Sequence, residues 1–524
     1  MERQPPWKAS PWKGNIVSRE ATPAVPAIGG LLAPAVRRRP DAPAIVARSG
    51  TLTYARLDAA ADAAAGALWE LGVRPGDRVA ACLPNDLDVV VAFHGTQRIG
   101  AIWAGIGEAL TATEQQSLTD VVSPAVILAG PRCELDGPAV VDVRRWAGLV
   151  ADGHAAPDIP ADPQAPAGIA FSSGTTGVPK AVVHSQRNLL LPGAVLVATR
   201  GWGRDLRKGD SLPFTILNML VLSTLLTAQA GGCAVVMDRR DQDGIAEWIG
   251  ASGVTVWNGA PAQLFDLAKR ADLDLRPLTE VWTGGGSCPE HVREAFQARH
   301  GVPVTATYGL SEAPTVVAID PVGGGHRGGA SGQVLPHLDV AAYDAQGQQA
   351  GAGATGELGI SAAQSGQWAG LWRPPLGYWS DGAVRPASPE SGSPDLVMTG
   401  DIGQVDADGW LTMVDRKKLM IVRGGANISP AEVEGLLLEH PGLAAVAVFG
   451  IPDERLGERV AAIVVPAPGA PVLSATDLTA FCAPRLARYK IPEVWGLAGA
   501  LPVNAMGKIV RTSLPAVLSS AAAL

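Results

Sequence analysis

LTYARLDAAADAAAGALWELGV, residues 52–73, followed by DRVAACLPND, residues 77–86, decides the class of this fold. The first segment reads as a strand entering an amphipathic helix and the second as the next strand with its turn, because the apolar spacing passes from alternation to helical period and back. Similar units recur at SPAVILAG (123–130), GCAVVMD (232–238) and VTVWNGAPAQLFDLAKR (254–270). Repeated strand–helix alternation is the pattern of a layered α/β domain with mainly parallel strands, since successive parallel strands need a crossover between them.

At 524 residues the chain exceeds one ordinary core, so a large subdivided domain plus a smaller one is expected. A hydrophobic fraction of 47% with 18% charged residues fits a globular enzyme, and 62 glycines with 42 prolines indicate many loops. Three such loops are GHAAPDIPADPQAPAG (153–168), DPVGGGHRGGASG (320–332) and RPASPESGSPD (385–395). The chain changes character across VMTGDIGQVDADGWLTMVDRKK (397–418), where short alternating strands lead into NISPAEVEGLLLEHPGLAAVAVFG (427–450), a helix followed by a strand. Ser429 is placed to cap that helix, with Pro430 at its first position and Glu432 three residues on. The boundary is expected at Asp415–Lys418, giving domains 1–415 and 416–524, the second α+β.

The formal net charge of -8 argues against general affinity for nucleic acid or anionic membrane, which need a positive field. MERQPPWKASPWKGN at the amino terminus lacks the apolar stretch of a secretory signal, and the run around Leu217 to Ala230 is broken by polar residues well short of a span. The cytoplasm is the expected compartment. Five scattered cysteines, Cys82, Cys133, Cys233, Cys288 and Cys482, without CxxC spacing, indicate neither a disulfide framework nor zinc; they read as reduced and mostly buried.

FSSGTTGVPKAVVHS (171–185) concentrates small donors around one cation. Glycines let the backbone turn tightly with its amides pointing one way, and amides, hydroxyls and one ammonium together make a concavity for phosphate oxygens. It is not a P-loop, because Gly174, Gly177 and Lys180 are spaced by Val178 and Pro179, and Ala181 stands where the magnesium-binding hydroxyl would sit. A polar surface loop ending in an ordinary lysine is the alternative on composition alone.

The same stretch resembles the phosphate loop of the AMP-forming adenylation superfamily, which includes acyl-CoA synthetases, luciferases and peptide-synthetase adenylation domains. The resemblance runs in order through LTYARL (52–57), TGGGSC (283–288), similar to the adenine-side loop, YGLSEA (308–313), similar to YGxTE, and TGD (399–401), similar to the ribose-binding aspartate. It continues through DRKK (415–418), similar to the hinge, and NAMGKIVR (504–511), similar to the terminal lysine loop. It implies a large N-terminal adenylate-forming domain of layered mixed sheets and a small mobile C-terminal domain.

By this resemblance a carboxylate attacks the α-phosphorus of ATP, pyrophosphate departs, and a thiol then attacks the acyl-AMP. Thr175, Thr176 and Lys180 would hold the β and γ phosphates, with Ser172, Ser173, Gly174 and Gly177 completing the cradle. Glu312 would hold Mg2+ against the phosphates. Gly284, Gly285, Gly286 and Tyr308, with Gly309 and Ser311 beside them, would form the nucleotide slot, and Asp401 and Arg416 would meet the ribose. Lys508 would reach the substrate carboxylate and the α-phosphate oxygens. For the second step the small domain would swing about DRKK, Asp415, Lys417 or Lys418 absorbing the change. VRGGANISP (422–430) would then arrive, Gly424 and Gly425 letting the pantetheine arm of CoA pass.

Where relatives often carry a histidine as PxxHxxG, this chain has LPFTILNMLVLSTLL (212–226), with Thr215, Ile216 and Asn218 in the region of the ring. No aspartate there would pair an α-ammonium, which argues against a free amino acid. Phe214, Leu217, Met219 and Leu220 line either an apolar acyl pocket or the core. IGEAL (106–110) replaces a stretch that more often carries proline and asparagine, and His184 either touches substrate or phosphate or is a satisfied structural histidine. The resemblance thus implies an acid:CoA ligase for an apolar acid, medium-chain, aromatic or alicyclic. A carrier-loading adenylating enzyme and a catalytically lapsed nucleotide sensor are its rivals.

Overall fold

The computed structural model describes residues 27–172, 180–284, 288–323, 325–386, 393–423, 426–470, 473–504 and 508–524. Packing divides the chain into two units. The first runs to Val340 and takes in Ile360–Val397 and Asp408–Trp410; the second comprises Ala341–Gly359, Met398–Ala407 and Leu411–Leu524.

The first unit is built on two large mixed sheets. Among the described residues one has nine strands, in the order Gln333–Val334, Ala313–Ile319, Val304–Leu310, Glu280–Gly284, Val256–Asn258, Arg207–Asp210, Cys233–Val236, Pro43–Ala47 and Gly50–Thr53. The other has eight, in the order Ala383–Arg385, Gly377–Ser380, Lys180–Ser185, Pro166–Ser172, Ile102–Gly105, Arg78–Cys82, Val126–Ala129 and Val140–Asp142. The middle pairings of both are parallel, as the strand–helix alternation requires; both edges of the first sheet are antiparallel, while the second has one antiparallel edge and a parallel one at Val140–Asp142.

The opening stretch forms the expected elements. Strand Gly50–Thr53 passes into helix Tyr54–Glu70, and the Thr53 hydroxyl accepts the Arg56 amide at 3.3 Å, satisfying a donor the helix leaves open. Tyr54, Leu57, Ala61, Ala64, Ala65 and Leu68 form the buried face. Its alanines allow helix Leu87–Arg98 to approach until a Cβ at Gly95 would stand 2.6 Å from Ala64 Cβ. Strand Arg78–Cys82 follows, and its last four residues are buried.

The faces of the nine-stranded sheet differ in chemistry. One packs an apolar layer that includes Met237, Trp248, Trp257, Leu264, Val281 and Phe296. On the other, the alternation of side chains along paired strands puts Lys208 and Asp210 in line with Val256 and Asn258, and those with Glu280 and Trp282. Lys208 and Asp210 are fully buried, and the Lys208 ammonium lies 3.3 Å from each Asp210 carboxylate oxygen. Ser223 donates to the same carboxylate from a π-helical turn, Val221–Leu225, while its neighbour Thr224 meets buried His94 at 2.9 Å. One extra residue in the turn aims two consecutive hydroxyls at two different partners.

The second unit contains most of a four-stranded sheet, Leu338–Tyr343, Gly356–Ala362, Val397–Val405 and Leu411–Arg416. It also contains a sheet centred on Gly457–Pro466, which pairs with Leu443–Asp453 on one side and Val494–Leu497 on the other. Helices Pro430–Leu437 and Ala475–Cys482 seat Val433, Leu437, Leu478 and Cys482 in a core with Val446, Val448, Ala462 and Val464. Ser429 caps the first helix by accepting the Glu432 amide at 3.2 Å, with Pro430 at the first position. The cysteines are free thiols: Cys82, Cys233 and Cys482 buried, Cys133 and Cys288 half-buried. Among the described residues no helix is long and apolar enough to cross a membrane.

Candidate active site

In the first unit the candidate residues lie on neighbouring strands and a tight turn. Strand Pro166–Ser172 enters the phosphate stretch and strand Lys180–Ser185 leaves it, with Ser172 paired to Lys180 across the ladder. Lys180 is exposed, its ammonium 5.3 Å from the centroid of the Tyr378 ring, a cation–π contact. Ser173, Gly174, Thr175, Thr176 and Gly177 lie outside the described residues, as do Gly285, Gly286, Gly424 and Gly425.

Strand Glu280–Gly284 runs parallel to Val304–Leu310, with Gly284 opposite Thr307, one residue before Tyr308. A Cβ at Gly284 would stand 2.1 Å from Thr307 Oγ1, so glycine is what lets these strand ends close up. Tyr308 is buried at 8% exposure. Ser311 and Glu312, both half-buried, form the turn to strand Ala313–Ile319, with Leu310 paired to Ala313. The ladder is irregular at Gly309, whose added Cβ would fall 1.5 Å from the Thr315 carbonyl oxygen, and Thr315 has φ of 83°. A threonine in that region is strained, and the bulge holds it there. Gly309→Ala is therefore expected to lower stability by about 1–3 kcal/mol, an overpacking cost, read as a fall in the urea midpoint at unchanged slope.

His184 joins the two motifs. Its ring is wholly buried on strand Lys180–Ser185, and Nε2 lies 2.7 Å from the Ser311 carbonyl oxygen, which fixes Nε2 as the donor. Burial pushes its pKa down to about 4 against that bond, so the ring is neutral near pH 7. Its Nδ1 is buried without a hydrogen-bond partner among the described residues, so the ring is half satisfied.

The second unit gathers the other candidates. Asp401 is 2% exposed, and its residue pairs with Arg416 across antiparallel strands, the Arg416 Nε 3.1 Å from Asp401 Oδ1. Gly400 at φ of 71° turns the strand there, and the Asp401 amide donates to Thr399 Oγ1 at 3.1 Å. Asn504 and Lys508 close a loop: the Asn504 amide donates to the Lys508 carbonyl at 2.8 Å, and the Lys508 amide to Asn504 Oδ1 at 3.0 Å. Lys508 is exposed as a residue. Its ammonium nevertheless falls below the ordinary lysine value, chiefly through loss of water and then through the Arg416 charge, with Asp401 pulling the other way. Lys508, Arg416 and Asp401 thus feel one another's charge within one packing unit.

Two features were not visible in the sequence. Buried Asp415 accepts from the Ser429 hydroxyl and, at 3.0 Å, from the Ala431 amide, so it clasps the start of helix Pro430–Leu437. In the 212–226 segment, Trp103 Nε1 donates to the Thr215 carbonyl at 3.0 Å, and a Cβ at Gly105 would stand 1.5 Å from that oxygen. Phe214, Leu217 and Leu220 belong to the principal core, which decides between core and pocket for those three.

Residues 32–367 match the AMP-binding enzyme family, and residues 432–508 match the AMP-binding enzyme C-terminal domain. The chain belongs to the AMP-binding enzyme family. Among its curated relatives in that family, a long-chain-fatty-acid–CoA ligase of Mycobacterium tuberculosis is 31% identical over 88% of this chain and 92% of its own. An indoleacetate–CoA ligase of Aromatoleum aromaticum is 32% identical over 87% and 91%. Among solved structures, o-succinylbenzoate CoA synthetase from Bacillus subtilis with its acyl-adenylate intermediate gives a TM-score of 0.81 at 25% identity, covering 93% of this chain and 97% of that one. ATP-bound MatB from Rhodopseudomonas palustris shares the fold, with a TM-score of 0.81 at 24% identity, covering 93% and 98%. These AMP-binding enzymes have the large N-terminal domain of layered mixed sheets and the smaller C-terminal domain found here.

Proposed function

We propose that this AMP-binding enzyme joins an apolar carboxylic acid, medium-chain, aromatic or alicyclic, to CoA through an acyl-adenylate, in the cytoplasm. The observation that carries the reading is the convergence of Lys508 on Asp401 and Arg416. With the ribose held at Asp401, the Lys508 ammonium serves as the cation beside the reacting phosphorus.

In the first step an oxygen of the acid attacks the α-phosphorus of ATP, and the bond to pyrophosphate breaks. Lys180, with Ser172 and the donors of 173–177, holds the departing phosphates; Lys508 bridges the acid and the α-phosphate oxygens, where negative charge grows. Gly284 to Gly286 and Tyr308, with Gly309 and Ser311, form the base slot. Among the described residues no three acidic, histidine or cysteine side chains gather as a cation cage. Half-buried Glu312, on the turn after Leu310, fits Mg2+, which is held by one or two carboxylates plus substrate phosphates. When bound there, Mg2+ offsets charge on the phosphates.

In the second step the CoA sulfur attacks the acyl carbon and AMP departs. For this residues 416–524 swing about 415–418 as a lid, bringing Gly424 and Gly425 to the pantetheine passage and withdrawing Lys508. The curated relatives' names, which include fatty acid, indoleacetate and feruloyl CoA enzymes, support an apolar acid.

Acid-dependent exchange of labelled pyrophosphate into ATP, run over fatty, aryl and alicyclic acids, tests the first step. Thioester formation with free CoA against a phosphopantetheinylated carrier tests the second. Exchange with an apolar acid and a thioester on CoA are expected. ATP binding with no exchange for any acid would assign a lapsed sensor, and thioester on the carrier alone would change the acceptor.

A further inference from the structure

Cys82 ends strand Arg78–Cys82, and its parallel neighbour ends at Ala129, directly opposite. The Gly130 amide donates to the Cys82 carbonyl at 2.7 Å, and the Cys133 amide donates back to the Gly130 carbonyl at 3.1 Å, so the loop folds over the strand end. Wholly buried Gln115 pins that loop, accepting the Glu134 amide at 2.9 Å and donating to the Arg132 and Leu110 carbonyls at 3.3 and 3.1 Å. Cys82 is buried and Cys133 half-buried against one apolar cluster.

From this placement we infer that Cys82 and Cys133 are an oxidation site, closing to a reversible intrachain disulfide when a peroxide reaches Cys133. The thiols differ in readiness. The neighbouring Cys82 thiol holds the Cys133 pKa down to about 7, while the same neighbour and burial push that of Cys82 up. The Cys133 thiolate attacks one peroxide oxygen, the O–O bond breaks, and hydroxide leaves, giving the sulfenic acid. The Cys82 sulfur then attacks the Cys133 sulfur, the S–O bond breaks and water leaves. Two thiols lose two electrons and one peroxide becomes two waters. An intracellular disulfide of this kind fits a redox-responsive role rather than a structural one.

The bridge has a route to the candidate site. Phe171, next to Ser172 on the strand entering the phosphate stretch, packs against the cluster holding Cys82 and Cys133. Drawing the sulfurs into a bond shifts the seat of Phe171, and adenylation is expected to fall several-fold.

Hydrogen peroxide treatment of the full chain, followed by alkylation without reduction and trypsin digestion, tests this. A linked pair of peptides 79–98 and 133–144 is expected, with free thiols falling from five to three and returning with dithiothreitol. Cys82→Ala should stop at a Cys133 sulfenic acid trapped by dimedone, and Cys133→Ser should leave Cys82 reduced. Five thiols remaining, or links through Cys233, Cys288 or Cys482, would overturn the assignment. Pyrophosphate exchange retained in full by the bridged chain would overturn its effect on the site.

Discussion

Lys508→Ala is expected to lower adenylation about a hundred- to a thousand-fold, the usual effect of removing one preorganised donor from a developing charge. Thioester formation from supplied acyl-adenylate should stay within a few-fold of the parent, since Lys508 is withdrawn in that step. The split between half-reactions is the informative reading, because a general loss of folding would depress both. The loop that carries the lysine should survive, as it is closed by the Asn504 side chain and by backbone bonds that alanine retains. Adenylation undiminished in the variant would sink the proposed role of Lys508 and the reading built on it.

Lys208→Met is expected to cost about 3–5 kcal/mol of stability, the range for breaking one side of a buried ion pair. Lys208 and Asp210 have no contact with water, and burial pushes each toward its neutral form while the other opposes it. The ammonium also lies 5.2 Å from the centroid of the Trp282 ring. Without it, Asp210 keeps the Ser223 donor but, among the described residues, faces no other cation within reach of a salt bridge. A second change, Asp210→Leu, should recover much of the loss, because an apolar pair replaces a buried charge pair at little net cost. Urea unfolding of the parent, both single variants and the double variant measures this; a Lys208→Met cost below about 1 kcal/mol would mean Asp210 takes up a proton readily.

The contrast between these residues shows what the sequence discloses. The helix start at Ser429 was legible because a hydroxyl just before an apolar-periodic run acts locally, and strands such as Arg78–Cys82 and Val126–Ala129 were legible because burial enforces apolar residues. Arg207–Asp210, RKGD, shows none of the apolar patterning of the other strands, yet it is a central strand. Its charges are tolerated only through partners at Ser223, Asn258 and Trp282, brought by the tertiary fold. In the candidate site, Lys180, Glu312, Asp401 and Lys508 were proposed through the resemblance of the motifs around them, not from the residues alone. The His184 bond to Ser311 joins residues 127 apart in sequence, and nothing local announces it. Residues 341–359 pack with the second unit for the same kind of reason.

The Asp415 clasp bears on where the chain can bend. One carboxylate fastens the end of a strand to the start of a helix 14 residues later, so the two ends of that segment form a closed ring. Opening the ring forfeits two hydrogen bonds to a charged acceptor, about 1.5–3 kcal/mol each. A swing about 415–418 therefore has either to carry the strand end and the helix start along together or to open this clasp.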